Sequence, residues 1–121
     1  MPGKALLLVD HGSRQPEAAA VLDEVAALLR QSRPGLIVHV AHMTLAQPDI
    51  ARGFERCVQD GATEVIVHPY MLSPGRHVLT DMPRLVAESA ARHAGVTFRI
   101  TPPLGVHGKL AEVVLERAGL A

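Results

Sequence analysis

Four short runs rich in apolar and β-branched residues recur along this chain, each followed by a longer stretch with apolar residues at helical spacing. The runs are Leu6–Val9, Leu36–Ala41, Glu64–His68 and Thr97–Thr101. Every connection between them is too long for a hairpin, so the strands must run parallel, with right-handed helical crossovers. The pattern βαβαβαβα specifies an α/β fold: a four-stranded parallel sheet flanked by helices on both faces.

Local signals mark the boundaries. Pro16 suits the first turn of a helix carrying Val21, Leu22, Val25, Leu28 and Leu29, and Arg33-Pro34-Gly35 stops it. Leu36–Ala41 reads as a strand buried on both faces. Pro48 and Asp49 open a second helix with Ile50, Phe54, Cys57 and Val58 on one side, and Gly61 caps its end. After a long 69–78 loop, Leu79 to His93 forms a third helix, ended by Gly95. Leu110, Val113 and Val114 mark a fourth. No linker, repeat or second core interrupts residues 1–121, which are expected to form a single domain.

Aromatic residues make up only 2% of the chain, so Val, Leu, Ile, Ala and Met must fill the core. The formal net charge is +0, which argues against nucleic acid as a partner. No apolar run approaches the roughly 18 residues of a membrane span. Met1 to Ala5 lead directly into the first strand, leaving no room for a signal peptide, and the expected compartment is the cytoplasm. The one cysteine, Cys57, permits neither an internal disulfide nor a thiolate metal cage and reads as a small buried hydrophobe.

Two loops stand out. Asp10-His11-Gly12-Ser13-Arg14 follows the first strand, and Leu72-Ser73-Pro74-Gly75-Arg76-His77 follows the third. In a parallel α/β sheet both lie on the carboxyl edge, where such folds bind ligands. Of seven histidines, His11, His42, His77 and His107 all fall on that edge. His39 and His68, inside strands, read as hydrogen-bonded structural residues, and His93 as a cation at a helix C-terminus. His107 is read as a polar loop residue, and His42 admits either role. His11 and His77 are the candidates for function.

Two imidazoles without thiolates or a carboxylate cluster suit Fe²⁺, Co²⁺, Ni²⁺ or Zn²⁺, and not Ca²⁺ or Mg²⁺. Two ligands hold a metal weakly, as a protein that hands its metal onward requires. An imidazole can also accept a proton near neutral pH. Arg14 and Arg76 are suited to gripping carboxylates bidentately, with Ser13 and Ser73 as hydrogen-bonding groups. Tyr70, Met71, Leu72 and Pro74, with Met43 and Leu45, offer an apolar wall for a flat ring, or else core packing beneath the loop. Asp10 is placed to orient His11 or Arg14, and Asp81 to favour the start of the third helix. Phosphate-binding glycine loops, CxxC, HExxH and GxSxG motifs are all missing.

These segments together resemble the short sirohydrochlorin chelatases of the CbiX/SirB type, within the class II chelatase superfamily. The likeness runs through Leu7-Leu8-Val9-Asp10-His11-Gly12-Ser13-Arg14 and Ala41-His42-Met43 with Leu45-Ala46-Gln47-Pro48. It continues in Pro74-Gly75-Arg76-His77-Val78 with Asp81-Met82-Pro83, and in Pro103-Leu104-Gly105. The resemblance implies insertion of cobalt or iron into sirohydrochlorin, for cobalamin or sirohaem, with His11 and His77 as the metal-binding and catalytic pair. Ser13, Arg14, Met43, Thr44, Ser73, Pro74, Gly75 and Arg76 would then bind the tetrapyrrole. No cofactor would be permanently bound; the divalent metal is a substrate, with nickel a further candidate. Longer members contain two such halves, so a short chain implies a homodimer with its cleft between subunits. Thr44 departs from the pattern, because the family usually has glutamate there. That departure sustains a rival reading as a non-catalytic metal or tetrapyrrole carrier. A phosphoester-binding enzyme using His11 and the arginines is a further rival.

Overall fold

A computed structural model describes residues 2–121. Its elements are β1 (Lys4–Asp10), α1 (Pro16–Ser32), β2 (Ile37–His42), α2 (Ile50–Gln59), β3 (Glu64–Pro69), α3 (Arg76–Ala90), β4 (Thr97–Ile100) and α4 (Gly108–Arg117). All strand pairs are parallel, and the sheet order is β2-β1-β3-β4. The chain steps one way from β1 to β2, then the other way to β3 and β4. Right-handed crossovers must therefore put α1 on one face and α2 and α3 on the other.

The core follows that rule. Alternate residues of β1 point to opposite faces. Leu8 joins Leu22, Ala26, Val38 and Val40 in a cluster beneath α1. Leu7 and Val9 join Phe54, Cys57, Val65, Val67, Met82 and Val86 beneath α2 and α3. Gly53 is what lets α2 approach the sheet: a Cβ there would lie 2.8 Å from the Val40 carbonyl and 2.9 Å from Leu7 Cδ1. Cys57 is fully buried, as its spacing implied.

Several boundaries differ from expectation. β2 is an edge strand covered on both faces, with Val38 and Val40 buried beneath α1 and Ala41 beneath α2; the departure is His39, which is half-buried and pairs with Asp60 at 2.7 Å. α3 begins at Arg76, not Leu79, because Pro74 keeps Ser73 from helical geometry and Gly75 takes the extended N-cap position. The Leu79 amide then donates to the Gly75 carbonyl to close the first turn. His77 accordingly lies in the first turn of a helix, and Asp81 lies past it, facing Arg84 at 3.7 Å. The helix ends at Ala90, three residues before His93. His93 thus lies beyond the C-cap and not in the last turn, and its ring stacks on Phe54 with centroids 5.8 Å apart. His107 is more than a loop residue, since its Nδ1 accepts the Lys109 amide as the N-cap of α4.

α4 forms where expected, yet none of its residues is buried. Val113, Val114 and Leu115 remain exposed, and the β3–β4 half of the sheet on the α1 side, with Ile66, His68 and Arg99, is at best half-covered. No helix among the described residues is long and apolar enough to cross a membrane.

Candidate active site

β1 hands the chain to α1 on one face of the sheet, and its neighbour β3 hands it to α3 on the other. The crevice at the carboxyl ends of β1 and β3 is thus the point where the connections diverge, which is where open α/β sheets bind ligands. Val9 pairs in register with Pro69, and the Tyr70 amide donates to the Val9 carbonyl at 2.7 Å. The two strands therefore end level. His11 emerges two residues beyond Val9, and His77 emerges from the first turn of α3; both are exposed.

The edge is held together by main-chain bonds between successive loops. Met43 and Thr44 amides donate to the carbonyls of Asp10 and His11 at 2.9 and 3.2 Å. Leu104 and Gly105 amides donate to Met71 and Leu72 at 3.0 and 3.1 Å. Gly12 adopts φ +95°, and a Cβ on it would fall 1.7 Å from the Thr44 carbonyl oxygen. Only glycine allows this approach, so the loop bearing His11 sits directly against the loop bearing Thr44.

The histidines separate by what they touch. His39 pairs with Asp60, His42 with Asp10, and His107 with the Lys109 amide, while His93 stacks on Phe54. His68 lies 2.8 Å from the Thr101 hydroxyl and makes an edge contact with Tyr70. Thr101 gives its one hydroxyl proton to the Pro102 carbonyl, so His68 Nδ1 must be the donor to it. Burial holds the His68 pKa below the usual histidine value, opposed in part by a hydrogen bond with Pro102. Among the described residues, His11 and His77 are left as the two of seven whose rings have no hydrogen-bond, ion-pair or stacking partner.

The other sequence candidates divide. Arg14, Ser73 and Arg76 are exposed near the same crevice, and neither arginine has a carboxylate partner among the described residues. Ser13 Oγ accepts the Gln15 amide at 3.0 Å, and neither Gln15 nor Gly75 caps its helix with a side chain. The N-termini of α1 and α3 therefore open onto this edge with free N–H groups, favourable to anions. Pro74 lines an apolar cavity of about 160 Å³ between α3 and β4, together with Pro69, Val78, Met82, Ile100 and Pro102. Neither His11 nor His77 lines that cavity, and it is smaller than ordinary ligand pockets. Of the proposed wall, Met71 is buried in the core, Tyr70 packs beneath α1, and Met43 packs beside the α2 and α3 cluster. Leu72 and Leu45 are exposed, the latter at φ 67°. Asp10 does not address Arg14; its carboxylate turns to buried His42 at 2.5 Å. Sequence reasoning missed that pairing, although both residues end neighbouring strands at the same register.

The family model described as CbiX matches residues 5–120. The chain belongs to the CbiX family. It is 44% identical over 112 residues to the chloroplastic sirohydrochlorin ferrochelatase of Arabidopsis thaliana, covering 93% of this chain and 50% of that protein. The sirohydrochlorin chelatase SirB from Bacillus subtilis subspecies spizizenii, solved with cobalt, superposes with a TM-score of 0.86 at 28% identity. That match covers 98% of this chain and 50% of the other. A CbiX protein from Marinobacter aquaeolei VT8 superposes with a TM-score of 0.78 at 26% identity, covering 96% of this chain and 94% of its own. This CbiX chain thus spans about half the length of the first two proteins and nearly all of the third.

Proposed function

We propose that this CbiX chain inserts a divalent metal, cobalt or iron, into sirohydrochlorin. The carrying observation is that its two histidines without structural partners flank the diverging crevice between β1 and β3. The 44% identity to a sirohydrochlorin ferrochelatase and the likeness to SirB solved with cobalt support the same reading.

In this proposal His11 and His77 take the ion as neutral imidazoles and present it to the ring nitrogens. Two ligands bind a borderline metal weakly enough for the macrocycle's four nitrogens to take it over. The metal enters as M²⁺ and two pyrrole protons leave, so the macrocycle's charge is unchanged. The imidazoles, freed of metal, are the bases placed to receive those protons. The acetate and propionate groups of the ring are held by Arg14, Arg76, Ser13, Ser73 and the open N-terminus after Gly75. Met43, Thr44 and Pro74 border the same edge as binding residues. Fixing metal and macrocycle together is the main contribution to rate.

The cavity of about 160 Å³ is lined by neither His11 nor His77, and the proposal includes a homodimer, with a second copy supplying the opposite wall of the crevice. Two features support it: α4 and the β3–β4 face leave apolar surface uncovered, and matching proteins come in one-half and two-half lengths. The expected compartment is the cytoplasm, in keeping with one unpaired cysteine. Thr44 keeps the carrier reading distinct: its main chain adjoins His11, at the position where the family usually has glutamate.

The test follows the visible absorbance of sirohydrochlorin on addition of Co²⁺ or Fe²⁺. Turnover above the uncatalysed rate, lost in both His11→Ala and His77→Ala, is the expected result. Tight tetrapyrrole binding with no acceleration selects the carrier, and wild-type rates in both variants overturn the site.

A further inference from the structure

Apart from Ser89, which bonds within its own helix, His42 is the sole buried polar residue among those described, 2% exposed. It continues the inward row of Val38 and Val40, where an aliphatic side chain would fill the space without needing a partner. An imidazole buried there is costly unless it is hydrogen-bonded. Its Nδ1 meets Asp10 Oδ1 at 2.5 Å, and Asp10 is the residue immediately before His11.

That side-chain bond alternates with main-chain ones. Asp10 and His42 are partners in register, the Met43 amide donates to the Asp10 carbonyl, and the Thr44 amide donates to the His11 carbonyl. The His42 amide is tied in turn to the Pro48 carbonyl at 2.8 Å. Asp10 is thus fixed at both its side chain and its carbonyl, which sets where the next residue leaves the sheet.

We propose that the buried His42–Asp10 pair is a positioning device for His11, holding the 11–14 loop in register with the sheet edge. It acts through Asp10 and the backbone, touching neither metal nor macrocycle. This inference rests on the chelatase reading for its activity arm only.

The test compares Asp10→Ala, His42→Leu, Asp10→Asn, His42→Asn and the double variant Asp10→Ala/His42→Leu. Asn keeps the acceptor at position 10 and a donor near the Nδ1 position at 42. The double variant leaves no buried group unsatisfied, so it is expected to fold even where a single one fails. Loss of orientation is expected to lower kcat about 10- to 100-fold at unchanged KM for sirohydrochlorin, and to weaken Co²⁺ binding by a similar factor. The Asn variants recover most of that loss. The double variant recovers the melting temperature but not kcat or Co²⁺ affinity; a purely structural pair would recover all three.

An independent arm needs no turnover: the ring ¹⁵N–¹H signals of His11 shift or broaden in the double variant, while those of His77 stay in place. If the wild type fails to insert metal, the Co²⁺ and His11 signals still decide the matter. A folded double variant with wild-type Co²⁺ affinity and wild-type His11 signals overturns the proposal.

Discussion

Gly12→Ala is the sharpest perturbation of the candidate site, because two separate penalties coincide there. The backbone sits at φ +95°, where an L-residue pays about 1–2 kcal/mol. The added Cβ would also lie 1.7 Å from the Thr44 carbonyl oxygen and 2.9 Å from its carbon, both main-chain atoms that cannot swing aside. Restoring ordinary contact requires the two loops to part by more than about 1 Å, and a displacement of that size at a reacting group costs about 100-fold in rate. Gly35 isolates the first penalty. It has the same φ of +95° but nothing within 4 Å of the added Cβ, and it lies at the opposite edge. Gly35→Ala is therefore expected to cost about 1–2 kcal/mol and to leave metal insertion untouched. Gly12→Ala is expected to cost about 1–2 kcal/mol more, since overpacking adds to strain, and to lower turnover about 100-fold. Urea unfolding gives the first comparison and the sirohydrochlorin absorbance assay the second. Equal stability losses, with Gly12→Ala turning over within twofold of wild type, would refute the account of the loop contact.

Gly53→Ala gains helix propensity but drives its Cβ into the Val40 carbonyl, Ala41 and Leu7; a net loss of about 1–3 kcal/mol in urea unfolding is expected. His68 has its pKa lowered on folding, so the unfolded chain binds more protons over that interval. Stability from this group is complete above the unfolded value of about 6.5 and falls as pH drops through it toward the folded value. His68→Asn should flatten this part of the pH–stability curve, and an unchanged slope would count against the assignment. Cys57, buried with its thiol pKa pushed up to about 12 chiefly by desolvation, should react with thiol reagents only at the rate of unfolding.

Much of this was legible in the chain. Periodicity alone identified four strands and four helices; the faces of α1, α2 and α3 follow only once the strand order β2-β1-β3-β4 is added to the right-handed crossovers. Pro16 and Gly61 marked ends correctly because their constraint is local: Pro16 occupies the first turn of α1, and Gly61 sits past α2 at φ +104°. The start of α3 differs because Arg76 and His77 look like loop residues; they face solvent on a helix whose inward positions are Val78, Met82 and Val86. His93 was misread because its role depends on Phe54, thirty-nine positions earlier, and no local rule carries that contact. The expectation that β2 is buried on both faces holds at Val38, Val40 and Ala41 and fails only at His39, beside the open edge. Strand order decides which strand lies at the edge, and a run of Ile, Val and Ala looks alike in either place.

The candidate site residues pose a different problem from the core. Burial identifies Leu7, Phe54 and Val86 without ambiguity, whereas His11, Arg14, Arg76 and His77 are exposed and resemble ordinary solvated surface. What separates the two histidines from the other five is an exclusion that needs coordinates: each of the others already has a partner that explains it. Exposed side chains without partners are ordinarily free to wander, and a metal site built from them would be imprecise. Here the imprecision is limited one layer down, since the backbone beneath His11 is bonded to the β2 loop and His77 stands on the first turn of a long helix. Rigid support beneath exposed, unpaired imidazoles is what a centre needs if it must capture an ion from solution and then release it to a second set of nitrogens. A buried, fully ligated site would perform the first task and prevent the second.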